Sequence, residues 1–564
     1  MDRLGWCVVL LCWASLLWGQ SGNSYLIMLR EKADLSGMPQ GANKAAKGQW
    51  VYQRLRQTAD RSQAPIRQFL RENRIAHQSL FLVNALYLPR ISESQLEMLR
   101  NRPEVAFVVD NTTWELEWPA HKESVLRSSG VEWNIRQIRA DRVWAMGIRG
   151  EGVVIGGQDT GYDWTHPALR EQYRGAQGSS TQHDYHWFDA VKEAVRKWPD
   201  GEQNPCGYDL GEPCDDHDHG THTMGTAVGD DGAGNQIGVA PGAQWVGVRN
   251  MDQGFGSPFT YLASFQWFLA PTDVRGQWPR PELAPDVINN SWYCPFSEGC
   301  TENLRILFDQ AIIHLRQAGI FVVVSAGNAG NQCATINTIP ASSSAAFAVG
   351  ATDRNDGIAS FSARGPAWSK DSSILLKPDV SAPGQGVRSA ARQSQYRRFS
   401  GTSMAGPHVA GVIALMISAN PQLRGRVAEL EQILYRTAIP LRGWQQCTDK
   451  QVKGFDFAYG YGRIDALSAV EAALAYRPNV ENKHKPIAAF PNPVRDILQV
   501  ELPTAAPLAG EWQIYDVLGR LVRAGTVAPG HSRLRLFVGQ QARGLYYIRI
   551  RVGQREYTGR FLKG

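Results

Sequence analysis

The sequence predicts an α/β protein built on a parallel sheet, with a smaller domain before and after it. Between about Gly130 and Arg477, short apolar runs typical of buried strands alternate with helical patterns. Such alternation is typical of a parallel sheet with helices on both faces. The chain has 564 residues, of which 43% are hydrophobic, so it is long enough for several domains and too apolar to be disordered.

The first 20 residues have the layout of a signal peptide. Arg3 precedes an apolar stretch from Leu4 to Trp18, and small polar residues follow it. The stretch is shorter than the roughly 20 residues of a membrane span. We therefore expect export, with Cys7 and Cys12 discarded. A buried or membrane-anchoring N-terminal helix is the alternative.

Residues 21–127 predict a small α+β domain. Helical patterns separate three strand-like runs, which are Tyr25–Leu29, Leu80–Leu88 and Val105–Val109. One helix is expected to begin at Ser92 or Ser94, because serine often caps a helix N-terminus.

The sequence of residues 128–480 predicts that this range forms the main sheet. Five buried-strand candidates are Val153–Gly157, Trp245–Val248, Val287–Asn290, Phe321–Val324 and Phe347–Gly350. Thr301–Ala318 and Met404–Ser418 have helical patterns. Ligands of such sheets bind beyond the carboxyl ends of the strands, so reactive residues at these ends are candidates for a site.

Asp159, His219 and Ser403 fall at or near such positions. Asp159 follows the strand Val153–Gly157, and Ser403 opens an apolar helix. A serine hydroxyl needs an adjacent base, and the base needs a third group that orients it. A helix N-terminus adds free N–H groups that favour a developing oxyanion. The three residues together therefore predict a nucleophilic serine.

Each of these residues has another interpretation when it is taken alone. Asp159 suits a turn, and Ser403 suits a helix cap. Three clustered histidines also suit a metal site; they are His217, His219 and His222. A metal-dependent hydrolase and a catalytically inactive binding protein of the same fold are therefore the alternatives.

The blocks around these residues resemble those of the subtilisin-like serine proteases, the subtilases. Three blocks carry the likeness, DTG at 159–161, HGTH at 219–222 and GTSMAGP at 401–407, in the chain order aspartate, histidine, serine. Supporting blocks are NNSW at 289–292, SAGN at 325–328, KPDVSAPG at 377–384 and GYGRIDA at 460–466. The resemblance implies a three-layer, subtilisin-like catalytic domain that hydrolyses polypeptides.

The resemblance also implies the roles of single residues. Ser403 would attack the scissile carbonyl, His219 would transfer the proton and Asp159 would hold the imidazole. Asn328 would donate to the oxyanion. Two segments would line the cleft on either side of an extended peptide; they are Ser291, Trp292 and Tyr293, and Ser325, Ala326 and Gly327.

Trp292 and Tyr293 replace the smaller residues often found at these positions of the family. The resemblance therefore implies narrower or more aromatic subsites. Packing of either ring in the core is the alternative.

The chemistry requires no cofactor, and the resemblance implies calcium only as a structural ion. Asp230 and Asp231 precede Gly232 and could contribute to such a site, but carboxylates in such turns are more often solvated. No metal ligands are assigned.

Six cysteines remain after the signal peptide and allow up to three disulfides in an exported chain. The short spacings suggest Cys206 with Cys214 and Cys294 with Cys300, which leaves Cys333 with Cys447. Zinc binding is the alternative, but neither short pair has the gap usual for zinc. The first pair lies in an insertion of about 183–216 between Asp159 and His219. Loops of this length are usually functional or stapled, and the cysteines fit stapling. Because the insertion is close to His219 in the sequence, we expect it at the rim of the cleft.

Residues 21–127 are similar to the inhibitory propeptides that precede many subtilases. The resemblance implies a zymogen in which the chain's own propeptide assists folding and blocks the cleft until it cuts itself free. We expect that cut between Asp110 and Gly130.

Residues 481–564 predict a linker and a small β-sandwich. Short alternating strands are expected at Ile497–Leu502, Trp512–Val517, Arg533–Phe537 and Tyr546–Arg551. The blocks AFPNPVRDILQVEL, IYDVLGRLV and GLYYIRI resemble C-terminal sorting domains of type IX secretion cargo. This implies recognition by outer-membrane secretion machinery and a secreted or cell-surface protein. An ordinary accessory or carbohydrate-binding domain is the alternative.

The distribution of charge supports this division. Pro486–Gly564 holds 11 basic and 5 acidic residues, which equals the whole net charge of +6. A nucleic-acid-binding protein would usually place such an excess across a working surface. No nucleic-acid partner is therefore expected.

Overall fold

The computed structural model describes residues 23–39, 41–116, 120–178, 180–199, 202–294, 299–368, 374–443, 447, 454–477, 485–503, 506, 509–517, 519–553 and 555–564. The predicted signal peptide lies outside them. The chain forms two compact units. One runs to Ala33 and from Ala42 to Leu474, and the other contains Asp34–Gly41 and Ala475–Gly564.

The first unit begins with a small α+β domain, as predicted. Its elements are β1 (Asn23–Leu29), α1 (Lys44–Ser62), α2 (Ala64–Glu72), β2 (Gln78–Leu80), β3 (Ala85–Ile91), α3 (Glu93–Arg100) and β4 (Val105–Asp110). The strands form an antiparallel sheet in the order β2-β3-β1-β4. Ser92 caps α3 with its side chain and forms a capping box with Gln95, so the first of the two predicted caps is correct.

The predicted strand Leu80–Leu88 is two strands joined by a turn. Asn84 turns the chain with a left-handed φ of 49°, and its side-chain amide donates to the carbonyl of Glu31 at 2.8 Å. The turn residues Phe81, Leu82 and Val83 are apolar and buried. Their composition therefore hid the turn, because apolar runs normally indicate continuous strands.

The rest of the first unit contains the main sheet and its helices. In chain order these are β5 (Trp114–Glu115), β6 (Ala120–Val125), β7 (Gly130–Val131), α4 (Trp133–Gln137), α5 (Ala140–Trp144), β8 (Val154–Asp159), β9 (Ala176–Gln177), β10 (Ser180–Thr181), β11 (Trp187–Asp189), α6 (His219–Val228), β12 (Asn235–Gln236), β13 (Gln244–Arg249), β14 (Met251–Asp252), β15 (Phe255–Gly256), α7 (Pro258–Leu269), β16 (Val287–Asn290), α8 (Glu302–Gln317), β17 (Phe321–Ser325), β18 (Phe347–Thr352), β19 (Ala367–Trp368), β20 (Ile374–Leu375), β21 (Val380–Pro383), β22 (Val387–Ala391), β23 (Gln395–Ser400), α9 (Thr402–Ala419), α10 (Val427–Thr437) and α11 (Ala466–Ala475).

Seven strands form one parallel sheet in the order β11-β13-β8-β16-β17-β18-β21. All five predicted strands belong to it. After β8 the chain forms the edge strand β11, returns to β13 beside β8, and then continues on the other side of β8 with β16. The carboxyl end of β8 therefore lies at a point where the strand order reverses. Such points are where open α/β sheets bind their ligands.

Adjacent residues of β8 show that helices cover both faces of the sheet. A Cβ added to Gly156 would meet Phe268 of α7, whereas one added to Gly157 would meet Met224 of α6. Because successive strand residues point to opposite faces, α6 and α7 lie on opposite sides. The predicted three-layer α/β fold is confirmed.

α9 is the central helix of one layer and packs against β16, β17 and β18. Among the described residues it is the helix long and apolar enough to cross a membrane, but 89% of it is buried in the protein. It is therefore a core helix, and its first turn lies near the strand ends.

The three predicted disulfides are present. Cys206 joins Cys214, Cys294 joins Cys300 and Cys333 joins Cys447. The first closes the insertion between β11 and α6, as expected for a stapled loop.

The second unit is a two-sheet β-sandwich. Its strands are β24 (Lys485–Pro486), β25 (Ala488–Phe490), β26 (Ile497–Glu501), β27 (Gly510–Asp516), β28 (Leu521–Val527), β29 (Arg533–Phe537), β30 (Gly544–Val552) and β31 (Arg555–Lys563). Sheets of order β24-β31-β30-β27-β28 and β25-β26-β29 share one core that includes Val500, Leu534, Ile514 and Ile548. The four predicted strands are present, whereas β24, β25, β28 and β31 were not predicted.

Candidate active site

Asp159 and His219 form a buried pair. Asp159 is the last residue of β8 and His219 is the first of α6. Nδ1 of His219 donates to Oδ1 of Asp159 at 2.7 Å, and the side chains of His219 and Asp159 are 0% and 1% exposed. The main-chain N–H of Thr160 donates to the same oxygen, and the hydroxyl of Thr223 donates to the other. These bonds fix both the carboxylate and the ring.

Two glycines allow the strand and the helix to approach this closely. A Cβ on Gly220 would lie 2.1 Å from the carbonyl oxygen of Gly161. A Cβ on Gly161, which has a φ of 111°, would lie 1.8 Å from the carbonyl oxygen of Cys214. Any larger residue would push the start of α6 away from β8. The glycines of the DTG and HGTH blocks are therefore packing requirements of the pair.

Ser403 lies in the first turn of α9 and is 4% exposed. Its hydroxyl donates to the main-chain carbonyl of Ser291 at 3.2 Å, and the hydroxyl of Ser291 donates to the carbonyl of Ser403 at 2.9 Å. Pro407, four residues on, has no N–H to donate to the Ser403 carbonyl as a helix normally would. Ser291 supplies that missing hydrogen bond.

Ser403 and His219 do not hydrogen-bond to each other in this structure. Among the residues that the structure describes, Nε2 of His219 is buried without a hydrogen-bond partner. Catalytic hydrogen bonds are often long or poorly aligned before substrate binds. Asp159 and His219 are thus hydrogen-bonded to each other. The third predicted residue, Ser403, is held in place by its two hydrogen bonds with Ser291.

Asn328 lies directly beside the start of α9. Its Oδ1 accepts hydrogen bonds from both the N–H and the hydroxyl of Thr402, each at 2.9 Å. The N–H of Gly327 donates to the same hydroxyl at 3.2 Å. The SAGN segment is therefore tied to the residue preceding Ser403, a connection that the sequence did not indicate.

Trp292 does not make the cleft more aromatic with its own ring, because the ring lies in the core. It is 0% exposed, lies 3.8 Å from Tyr261 between ring centroids, and also contacts Phe265 and Phe308. The alternative interpretation is thus the right one for this side chain. Tyr293 is partly exposed, whereas the remaining predicted cleft residues are buried: Ser291, Ser325, Ala326 and Gly327.

A short strand from the end of the N-terminal domain runs along the hairpin β14–β15. Trp114 pairs with Gly256 and Glu115 with Phe255 in antiparallel register. The N–H of Leu116 donates to the carbonyl of Gly254 at 2.7 Å. The resemblance to inhibitory propeptides implies that this region blocks the cleft, but it indicates neither the register nor the hairpin as the partner.

The ring of Trp114 packs onto Tyr261, which itself packs on Trp292, and we call this pair of rings the aromatic seat. Trp114 is 4% exposed and stacks on Tyr261 with ring centroids 5.2 Å apart and planes 7° apart. Tyr261 in turn contacts Trp292. The buried Trp292 therefore packs against the same ring on which Trp114 stacks.

Two histidines of the predicted cluster bind different partners: His219 binds Asp159, and His222 binds main-chain carbonyls. Nε2 of His222 contacts the carbonyls of Val387 and Arg397, each at 3.1 Å. Burial, and then the neighbouring His219, lower the pKa of His222 to about 3. Within the described part of the chain, no group of three or more His, Cys, Asp or Glu side chains is arranged to hold a metal ion.

The carboxylates considered for calcium contact arginines. Asp230 pairs with Arg149 at 2.7 Å, and Asp231 pairs with Arg127 at 2.7 Å. Asp231 also accepts hydrogen bonds from main-chain N–H groups of its own turn. The guanidinium groups therefore supply the positive charge at this turn.

A parallel α/β sheet that holds an aspartate–histidine pair at a strand end, beside a helix that opens on a serine, defines the class of serine hydrolases. The chain belongs to the subtilase family, whose family model matches residues 150–462. A secretion system C-terminal sorting domain matches residues 488–563. Both predicted resemblances are confirmed, and the sorting domain implies secretion or attachment to the cell surface.

Curated relatives agree with the family. Bacillopeptidase F of Bacillus subtilis (strain 168) is 36% identical over 444 residues, which cover 75% of this chain and 28% of that protein. Subtilisin E of the same strain is 28% identical over 383 residues, covering 68% of this chain and 79% of subtilisin E. The chain thus spans under a third of bacillopeptidase F and most of subtilisin E.

Proposed function

We propose that the chain is a secreted serine endopeptidase that cleaves peptide bonds through Asp159, His219 and Ser403. The observation that carries the proposal is the 2.7 Å bond between Asp159 and Nδ1 of His219. This bond leaves Nε2 as the nitrogen that can accept a proton. The carboxylate of Asp159 would stabilise the imidazolium that forms when Nε2 takes a proton.

A rotation of the Ser403 side chain would bring its hydroxyl into use with this base. Its hydroxyl donates to the carbonyl of Ser291, and a substrate N–H that bound this carbonyl would release the hydroxyl toward Nε2 of His219. The oxygen would then attack the scissile carbonyl while Nε2 takes the proton. The same nitrogen would return the proton to the leaving amine, and water would hydrolyse the resulting acyl-enzyme by the reverse sequence.

Asn328 supports this chemistry as a donor to the oxyanion. Because Thr402 engages its Oδ1 twice, the amide nitrogen on the other side of the carboxamide is left for the substrate. The first N–H groups of α9 add positive partial charge at the same place. Donors that are already in position lower the barrier without a cost of reorganisation.

We also propose that residues 21–127 form the inhibitory part of a zymogen. The strand from Trp114 to Leu116 occupies the edge hairpin as an extended substrate would, through main-chain pairing. The range in which we expect the cut, between Asp110 and Gly130, contains this strand. Cleavage next to the strand would free the mature enzyme.

The N-terminal domain has further contacts that would keep it in place. Tyr87 stacks on Phe259 of α7 with ring centroids 3.8 Å apart. His314 of α8 contacts the carbonyl of Leu82 at 2.6 Å, and the side chain of Gln266 bonds to the same turn. These contacts bury polar and aromatic groups together, which supports a stable complex between the domain and the protease.

Fluorophosphonate labelling tests the proposal. The wild-type chain is expected to label and to hydrolyse casein, and Ser403→Ala is expected to do neither. Ser360→Ala is the matched control, since Ser360 is an exposed serine of the same unit. Labelling that survives in Ser403→Ala would overturn the assignment. Activity that resists fluorophosphonate and is lost to chelators would favour a metal-dependent hydrolase instead.

A further inference from the structure

The insertion before His219 is bonded to the hairpin that carries the substrate-like strand. Asp252, at the end of β14, is fully buried. Its Oδ1 accepts a hydrogen bond from Nδ2 of Asn204 at 2.7 Å. Its Oδ2 accepts from the N–H of Val195 at 3.1 Å and from Nε1 of Trp198 at 3.3 Å. The hydroxyl of Tyr208 also donates to Oδ2 at 3.5 Å. One carboxylate of the hairpin therefore binds four groups of the insertion.

The other edge of the same hairpin pairs with the strand from Trp114 to Leu116. Three residues after Asp252, Phe255 pairs with Glu115, and the carbonyl of Gly254 accepts the N–H of Leu116. A shift of the hairpin would move both of these contacts. Asp252 and the residues that pair with the strand thus belong to one short hairpin.

Asn204 extends the connection to the segment that leads into α6. Its Nδ2 also donates to Oδ2 of Asp216 at 2.6 Å, three residues before His219. Its Oδ1 accepts the N–H of Cys206 at 2.8 Å, and Cys206 is bonded to Cys214. A single amide group therefore joins the edge hairpin, the stapled loop and the approach to the proposed base.

A buried ion pair lies beside this amide. Arg249 donates to both carboxylate oxygens of Asp189, at 3.0 and 2.7 Å, and its Nη1 lies 3.6 Å from Asp216. Buried carboxylates are tolerated only where donors or cations satisfy them. Moving Arg249, Asp189 or Asp216 would therefore leave a buried charged group with fewer partners, so these contacts hold one another in place.

We propose that Asp252 and Asn204 are positioning residues for peptide hydrolysis, which hold the edge hairpin Met251–Gly256 at the spacing that a bound peptide strand requires. The inference rests on the proposed endopeptidase function. Neither residue would touch the reacting atoms. Their loss would weaken the binding of substrates long enough to reach the hairpin and would leave the chemical step intact.

Substrate length separates this role from a general contribution to stability. The substrates are succinyl-peptide p-nitroanilides with one to four residues before the nitroanilide, hydrolysed by the full-length chain as secreted. We expect KM of the wild type to fall as added residues reach β15. In Asp252→Asn, an NH₂ group replaces the acceptor that faces Val195 and Trp198, so this fall should be lost. KM for the four-residue substrate should rise about tenfold, with kcat and the one-residue substrate unchanged within about twofold.

A matched control lies on the same insertion. Lys192 forms an exposed ion pair with Asp209, and Lys192→Gln should keep the wild-type length dependence. Trp198→Phe removes a single donor and should shift KM in the same direction as Asp252→Asn but less, so it serves if Asp252→Asn does not fold.

Three outcomes would contradict the inference. An unchanged length dependence in both Asp252→Asn and Trp198→Phe would exclude the positioning role. So would an equal loss on one-residue and four-residue substrates, which a merely structural role predicts. A wild type that hydrolyses no member of the series and does not label with fluorophosphonate would remove the proposed function, and the inference with it.

Discussion

Thr402 holds the side-chain carbonyl of Asn328 with two hydrogen bonds. Its N–H and its hydroxyl each donate to Oδ1 at 2.9 Å. Because the nitrogen of a carboxamide lies opposite its oxygen, Nδ2 of Asn328 is turned away from Thr402. The residue before the proposed nucleophile therefore orients the proposed oxyanion donor.

Thr402→Val tests this orientation. Valine keeps the shape and the main-chain N–H but loses the hydroxyl, so one of the two bonds to Asn328 disappears. We expect kcat to fall about tenfold with KM nearly unchanged, because a loosened donor matters most in the transition state. Steady-state kinetics measure this, and Thr402→Ser should restore most of the rate. Equal rates for the valine and serine variants would show that the hydroxyl does not orient Asn328.

Asn328→Ala removes the donor itself. The expected loss of kcat is about 10²–10³-fold, the magnitude measured in subtilisin for loss of such a donor. Labelling by fluorophosphonate should continue, since the fold and Ser403 remain. Undiminished turnover of peptides would remove Asn328 from the mechanism.

Trp114→Ala tests the aromatic seat on Tyr261. Loss of the ring removes a stacked pair, worth about 0.5–1.5 kcal/mol, together with its buried apolar area. We expect the N-terminal domain, supplied as a separate chain, to inhibit the processed enzyme at least tenfold less strongly. Met98→Ala is the control, because Met98 is 57% exposed on the same domain. Identical inhibition constants for the two variants would contradict the seat.

Asp216 should make stability depend on pH. Burial raises its pKa to about 7, against the opposing effects of Asn204 and Arg249. The folded protein then binds this proton more tightly than the unfolded chain, whose aspartate titrates near pH 4. The resulting stabilisation is complete below about pH 4 and is lost as pH rises to about 7.

Asp216→Asn isolates this effect. Between pH 4 and 7, the free energy of unfolding of the parent chain should fall relative to that of the variant, by up to about 4 kcal/mol. Denaturant unfolding measures the difference, with both chains carrying Ser403→Ala so that they cannot digest themselves. A difference that is constant across this range would exclude the raised pKa.

Deletion of Pro486–Gly564 tests the sorting domain. The deletion should leave fluorophosphonate-reactive enzyme in the periplasm, because the catalytic unit keeps its own core. Fractionation followed by labelling measures this. Normal appearance of the deleted chain outside the cell would contradict the sorting role.

The main sheet could be predicted because its strands are short, continuous and buried on both faces. Val153–Gly157 and Phe321–Val324 contain only apolar residues and glycine, and their alternation with helical segments leaves few other folds. The site residues could be predicted from local blocks, because a glycine close to Asp159 and one beside His219 are local packing requirements.

The remaining features depend on contacts that local patterns do not encode. The turn at Asn84 lies within an apolar run, and the ring of Trp292 occupies a core formed by residues distant in the chain. The bonds from Asp252 to the insertion join segments whose polar composition is also typical of solvated loops. Only the folded arrangement shows which of these polar groups are buried together.

The proline in α9 makes two distant positions interdependent. Pro407 cannot donate to the Ser403 carbonyl, and Ser291 provides the substitute. A change at residue 291 alone leaves that carbonyl unsatisfied, whereas an ordinary helical residue at 407 would make the hydroxyl dispensable there. Evolution should therefore accept changes at these two positions as a pair, and a library randomised at both should recover active combinations that neither single library contains.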